Sequence, residues 1–194
     1  MKDSPNLAAD KPKAQFETYG LYFQSNLNFA LSDKKLLNHK FTFDSLKSKN
    51  SLYGSDQFML GGRYTVRGFQ QNIISGDNGY LLRNDLSMRL SDLAPQGFLE
   101  RKIFNYPLSN TISKMRLSLF HDYGRVKNHI IDSTNDQGIM SGAGAALQYL
   151  GKNFNWDITY AKALKSPIFI ETIDHHKREN HAIYFSLTFN FGFL

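Results

Sequence analysis

Few groups of residues in this chain could do chemistry. The stretch Gly61-Gly62-Arg63-Tyr64-Thr65-Val66-Arg67-Gly68-Phe69 sets a guanidinium between apolar neighbours beside backbone-permissive glycines. Gly61 and Gly62 permit a tight reversal. A tip of this kind suits insertion into a cavity, where Arg67 meets a carboxylate in fork geometry. Taken as chemistry alone, an exposed loop arginine is the plainer reading. His175, His176 and His181 stand near Glu171, Asp174 and Glu179, but in a long polar stretch without fixed ligand spacing. That pattern reads as solvated loop, not as a metal centre. Gly142-Ala143-Gly144 sits inside an alternating strand and opens no helix, so it is no dinucleotide turn. Ser, His and Asp occur without a nucleophile elbow. Cysteine is absent, which removes a thiol nucleophile, a disulfide scaffold and a Cys-ligated zinc. No catalytic, cofactor-binding or metal-ligating residue is predicted, and no enzyme.

The elements that position these residues have a period of two. In the last segment Ile183, Phe185, Leu187, Phe189, Phe191 and Phe193 share one face. Ala182, Ser186, Thr188, Asn190 and Gly192 share the other, with Tyr184 as the large exception. The same alternation marks Tyr19 to Leu31, Leu37 to Ser45, Tyr80 to Leu90, Met115 to Tyr123, Ile139 to Tyr149 and Phe154 to Tyr160. The prediction is seven antiparallel strands and no convincing helix.

A chain of 194 residues could bury a soluble core, and its slightly negative mean hydropathy suits one. Two observations speak against that. The strands are long, whereas globular strands typically run about 5 or 6 residues and outer-membrane strands about 9 to 11. The small, polar faces also carry Arg83, Asp85, Arg89, Arg116 and Asp122 in mid-strand. Charges there suit a wet lumen with the opposite face in lipid, but not a soluble core. No run of about 18 apolar residues exists for a helical span. The connections agree: 32–36 and 151–153 are tight, while 46–78, 127–138 and 162–181 are long and polar. The stretch 91–113 is too long for its place in that alternation. Net charge is +6, spread thinly, which does not make a nucleic-acid footprint.

Val66-Arg67-Gly68-Phe69 after Leu60-Gly61-Gly62 resembles the signature of the two-partner-secretion outer-membrane transporters, the haemolysin activation/secretion proteins. The resemblance covers about residues 16 to 194. It continues through Gly79-Tyr80-Leu81-Leu82-Arg83-Asn84-Asp85-Leu86, Phe120-His121-Asp122-Tyr123-Gly124-Arg125-Val126, Ser141-Gly142-Ala143-Gly144 and a C-terminal strand aromatic to its end. It implies a transmembrane β-barrel of 16 strands, preceded by two periplasmic POTRA domains, that exports a large partner exoprotein unfolded and without ATP. Residues 1–15 are then a loop or disordered lead-in. Residues 16–194 are the last seven or so strands of the barrel, with a pore loop at 46–78. The family's loop folds into the lumen, and its Arg pairs with the Asp of a Phe-x-Asp-x-Gly wall motif. Carried over, Arg67 pairs with Asp122, flanked by Phe120 and Gly124. Strand parity independently puts Phe120, Asp122 and Gly124 on the lumen face. Gly142 and Gly144 leave room for the loop on the next strand.

Further expectations follow from the same resemblance. The chain works in the outer membrane of a Gram-negative bacterium, against outer-membrane lipid, with a secreted exoprotein as its partner and no cofactor. The barrel-assembly machinery reads Tyr184, Phe189, Phe191 and Phe193 in the last strand. Asp85 stands where the family carries Glu, and the chain ends Phe193-Leu194 where an aromatic is usual. The signal peptide, the POTRA domains and about nine strands are not on this chain, so it reads as an incomplete C-terminal piece with two open sheet edges. The alternative is an assembly insertase of the same superfamily.

Overall fold

The computed structural model describes residues 11–12, 14–32, 35–69, 74–103, 106–129, 138–167 and 181–190. Its elements are β1 (Thr18–Ser32), β2 (Lys35–Ser48), the short β3 (Phe58–Leu60) and β4 (Ile74–Gly76), and β5 (Asn78–Arg89). Helices α1 (Leu90–Leu93) and α2 (Gln96–Leu99) follow, then β6 (Lys102–Ile103), β7 (Tyr106–Pro107) and α3 (Leu108–Ile112). The chain continues through β8 (Met115–Lys127), β9 (Gly138–Leu150), β10 (Phe154–Lys165) and β11 (His181–Phe189).

The long strands β1, β2, β5, β8, β9, β10 and β11 form one sheet in chain order, every neighbouring pair antiparallel. They coincide with the seven expected segments. Their lengths, from 9 residues in β11 to 15 in β1, suit a tilted membrane crossing. β8 runs on to Lys127, so the whole Phe120-to-Val126 motif lies in strand. The last strand is described only to Phe189, on the outward face, and Phe191 and Phe193 lie outside the described residues. So do His175 and His176.

Two expectations need correction. The connection 90–114 is not helix-free: it folds α1, α2 and α3 around the small β6–β7 ladder. Ile112 is buried there, and the Leu150 amide reaches the Lys114 carbonyl to fasten the segment to β9. Helices of four or five residues complete barely one turn, too short for any apolar stripe to register as a period. The long loop spans 49–77 rather than 46–78, because β2 and β5 extend into it, and it contains the β3–β4 hairpin.

The sheet has an outer and an inner face. The middle of the outer face carries exposed apolar residues such as Leu119, Ile158 and Phe185. At the short-turn end Tyr149 stacks on Phe154 (5.1 Å) and Trp156 (6.2 Å), an aromatic cluster of the kind that flanks a lipid-facing band. The inner face holds the only compact core among the described residues. Leu60, Val66, Phe69 and Ile74 from the long loop pack on Leu81, Val126 and Met140 of β5, β8 and β9. Leu81, Val126 and Met140 are apolar residues on the face that also carries Arg83, Asp85 and Asp122, and the loop covers them.

Candidate functional site

The loop reaches the inner face through a hairpin whose reversal is closed locally. The Gly61 amide donates to Thr65 Oγ1 (2.8 Å) and the Gly62 amide to the Val66 carbonyl (3.1 Å). Its base is held by Asp77, which is buried. The Asp77 carboxylate accepts from the Leu52 amide and the His129 amide, both at 2.8 Å, tying the loop to the end of β8.

Arg67 lies directly over β8. Its Nε donates to Asp122 Oδ2 (2.6 Å), Nη2 to Asp122 Oδ1 (2.7 Å), and its own amide to Oδ2 (3.0 Å). This is a bidentate fork reinforced by a main-chain donor, with the Asp122 side chain 0% exposed. Nη1 donates to Asp85 Oδ1 on β5 at 2.7 Å. The guanidinium also stacks over the Phe120 ring, 3.5 Å from its centroid. Burial by itself would lower the pKa of Arg67. The hydrogen bonds and charges of Asp122 and Asp85 outweigh it, and the cation is held above its ordinary value. Arg83 of β5 approaches Asp122 Oδ1 at 3.4 Å and donates through Nη1 to the Tyr64 carbonyl (2.9 Å).

The glycines make this approach possible. A Cβ on Gly142 would overlap the carbonyl oxygen of Arg67, so only a bare backbone lets the loop sit so close to β9. Gly68 combines φ near +99° with a Cβ position 2.7 Å from the Ala163 amide nitrogen, a place closed to any side chain. Gly124 makes room for Leu60 and Val66, and Gly144 lies against the Phe120 ring.

Residues 2–149 match the family described as haemolysin secretion/activation protein ShlB/FhaC/HecB. The chain belongs to this family. The outer membrane transporter CdiB of Dickeya dadantii (strain 3937) is 27% identical over 158 residues, which is 79% of this chain and 25% of the relative. CdiB from Escherichia coli superposes with a TM-score of 0.69 at 22% identity, over 95% of this chain and 30% of that one. CdiB from Acinetobacter baumannii gives 0.66 at 21%, over 90% and 27%. The chain thus spans about a quarter of the length of the Dickeya relative it matches. The family match goes to secretion and activation proteins, the first of the two readings the sequence offered. The likeness to the solved structures carries the fold, an antiparallel outer-membrane β-barrel wall.

Within this family member, the structure brings Val66, Arg67, Gly68 and Phe69 together with Phe120, Asp122, Gly124, Asp85, Arg83 and Gly142 on one inner patch. Tyr184 belongs with them and not with Phe189. It stands on the inner face, accepts from the Gly68 amide (3.1 Å) and donates to the Phe69 carbonyl (2.9 Å). Its parity had set it opposite the outward aromatics of the last strand, and the loop is what it meets there. The large residue on a small, polar face was the sign that something covers that face.

Arg63 is the residue that sequence reasoning missed. Its Nη2 donates to Asp157 Oδ1 of β10 (2.5 Å) and to Ser186 Oγ of β11 (3.0 Å), and Nη1 donates to the Phe185 carbonyl (3.3 Å). The hairpin is therefore pinned twice, by Arg67 to β5 and β8 and by Arg63 to β10 and β11. Asp157 on a polar face, with no cation near it in sequence, was the available signal.

Proposed function

We propose that this chain forms the loop-bearing wall of an outer-membrane pore through which a large partner exoprotein of the haemolysin or adhesin type leaves the cell unfolded. The observation that carries this is the Arg67–Asp122 fork, buried beneath a loop on the inner face of a sheet whose outer face is apolar. A loop resting freely in a pore would obstruct it at random. One fixed by a bidentate ion pair, two glycine contacts and a Tyr184 clamp holds a single position, and the passage beside it keeps a defined shape. The rest of the inner face is polar, with Lys40, Arg116, Gln148 and Thr159 lining a space of about 360 Å³ next to the anchor. Such a wall offers water and hydrogen-bonding groups to an extended polypeptide.

The test is export by cells producing the complete transporter with Arg67→Ala or Asp122→Ala. Secreted exoprotein in the medium is expected to fall sharply while the transporter still reaches the outer membrane. Undiminished export by both variants overturns the reading. Restoring the pair with its charges exchanged, as Arg67→Asp with Asp122→Arg, separates attraction from fork geometry. Attraction alone would rescue export, whereas dependence on the main-chain donor would not.

A further inference from the structure

The charges of the seven long strands are sorted by face. All four strand carboxylates, Asp44, Asp85, Asp122 and Asp157, share the inner face. The outward face instead carries cations near the long-connection end: Lys47 on β2, and Arg125 and Lys127 on β8, all exposed. The ladder places them side by side. Tyr80 of β5 pairs with Ser45 and Arg125, and Asn78 pairs with Lys127, with Lys47 the next residue along β2 after Leu46↔Gly79. Lys47 and Lys127 thus flank Asn78 two strand spacings apart, about 10 Å, with Arg125 one row below. Together with Phe43 and Tyr80 they line an outward concavity of about 850 Å³, and none of the described residues lining it is acidic. The Tyr80 and Tyr123 rings lie beside each other at a tilt of 30°, centroids 6.1 Å apart, beneath the cations. Among the described residues no carboxylate lies within ion-pair distance of the three.

We propose that Lys47, Arg125 and Lys127 bind the phosphate groups of a lipid in the membrane leaflet at this end. This rests on the outer-membrane reading above, in which the long connections face the cell surface and the lipid is the phosphorylated glucosamine lipid of the outer leaflet. These cations stand at the strand ends, where the outward face of a membrane sheet meets the headgroup layer, and the natural counter-ion of a cation cluster there is a lipid phosphate. Guanidinium and ammonium groups supply the donors that phosphate oxygens accept. The Phe43, Tyr80 and Tyr123 rings form an apolar floor on which acyl chains can lie while the cations stay at headgroup level.

The test uses the complete chain extracted from outer membranes in mild detergent and incubated with lipid A bearing both phosphates. Bound lipid is counted by native mass spectrometry. The triple variant Lys47→Gln, Arg125→Gln, Lys127→Gln is expected to bind about a hundredfold more weakly. Lys35→Gln, on the same outward face at the opposite end, should bind like the unaltered protein. The charge-retaining pair Lys47→Arg with Lys127→Arg should also bind normally, which ties any loss to charge and not to folding. Dephosphorylated lipid A should bind as weakly as the triple variant does, and excess inorganic phosphate should not displace the lipid. Equal binding by the triple variant, equal binding of dephosphorylated lipid, or displacement by inorganic phosphate each overturns the inference and leaves the pore reading intact. A protein absent from the outer-membrane fraction overturns both.

Discussion

β1 and β8 are strands of similar length in one sheet, with the same alternation of residue types, yet their surroundings differ. On β1 both faces are open: Tyr22 on the inner face is 62% exposed and Phe23 on the outer face 53%. On β8 the faces part: Asp122 is fully buried and Leu119 is 59% exposed. The sheet is common to both strands, so the sheet does not cause the burial. The loop does. Where it lies, a polar inner face becomes a solid interface with its own ion pair and core; elsewhere that face stays wet. In this molecule the compact part is a contact between a loop and a wall, not between two sheets.

That contrast can be broken most strongly at Asp122. Replacing it with Ala leaves the Arg67 guanidinium buried over β8 without its fork, at a cost of about 3–5 kcal/mol. The folded, fast-migrating form on unheated detergent gels should then be lost at a markedly lower temperature. Arg67→Lys should fall between, because an ammonium cannot reproduce two parallel bonds. Gly142→Ala comes next. Its new methyl meets the Arg67 backbone, so the loop must lift, costing about 1–3 kcal/mol as read by the urea midpoint in detergent. Gly20→Ala, on the inner face of β1, should leave that midpoint unchanged, since a Cβ there meets only the Ser45 carbonyl at 3.6 Å. A smaller effect is expected from Tyr184→Phe, which removes a hydroxyl serving two loop backbone groups, about 1–2 kcal/mol. Tyr22→Phe, whose hydroxyl reaches only the exposed Gln24 side chain, should stay within about 0.5 kcal/mol. The smallest is Glu17→Gln, which breaks a solvent-exposed pair with Lys49 beside β1 and should shift the midpoint barely, if at all. Equal responses at Gly142 and Gly20 would mean that the loop is not seated on β9.

Much of this was legible in the sequence for a simple reason. A strand between lipid and water must alternate along its whole length, so Phe120, Asp122 and Gly124 declare their face by parity. Three kinds of feature were not legible. The helices of 90–112 are too short to show a period. Arg63 and Asp157 stand 94 positions apart, and parity gives a face without giving a partner. Leu81, Val126, Met140 and Tyr184 break the alternation, and such breaks look like noise until a covering segment is known. Here each of them marks where the loop rests.

The anchor also reads strand alignment. Arg83, Asp122, Gly142 and Ala163 pair successively across β5, β8, β9 and β10 in a single transverse row. The loop tip touches all four: Tyr64 meets Arg83, Arg67 meets Asp122 and Gly142, and Gly68 meets Ala163. A slip of one residue at β8 would turn Asp122 toward lipid, and a slip of two would carry it about 7 Å along the strand, beyond the reach of the fork. The hairpin therefore acts as a gauge that fits only a correctly threaded wall, and a misaligned sheet would leave it nowhere to dock.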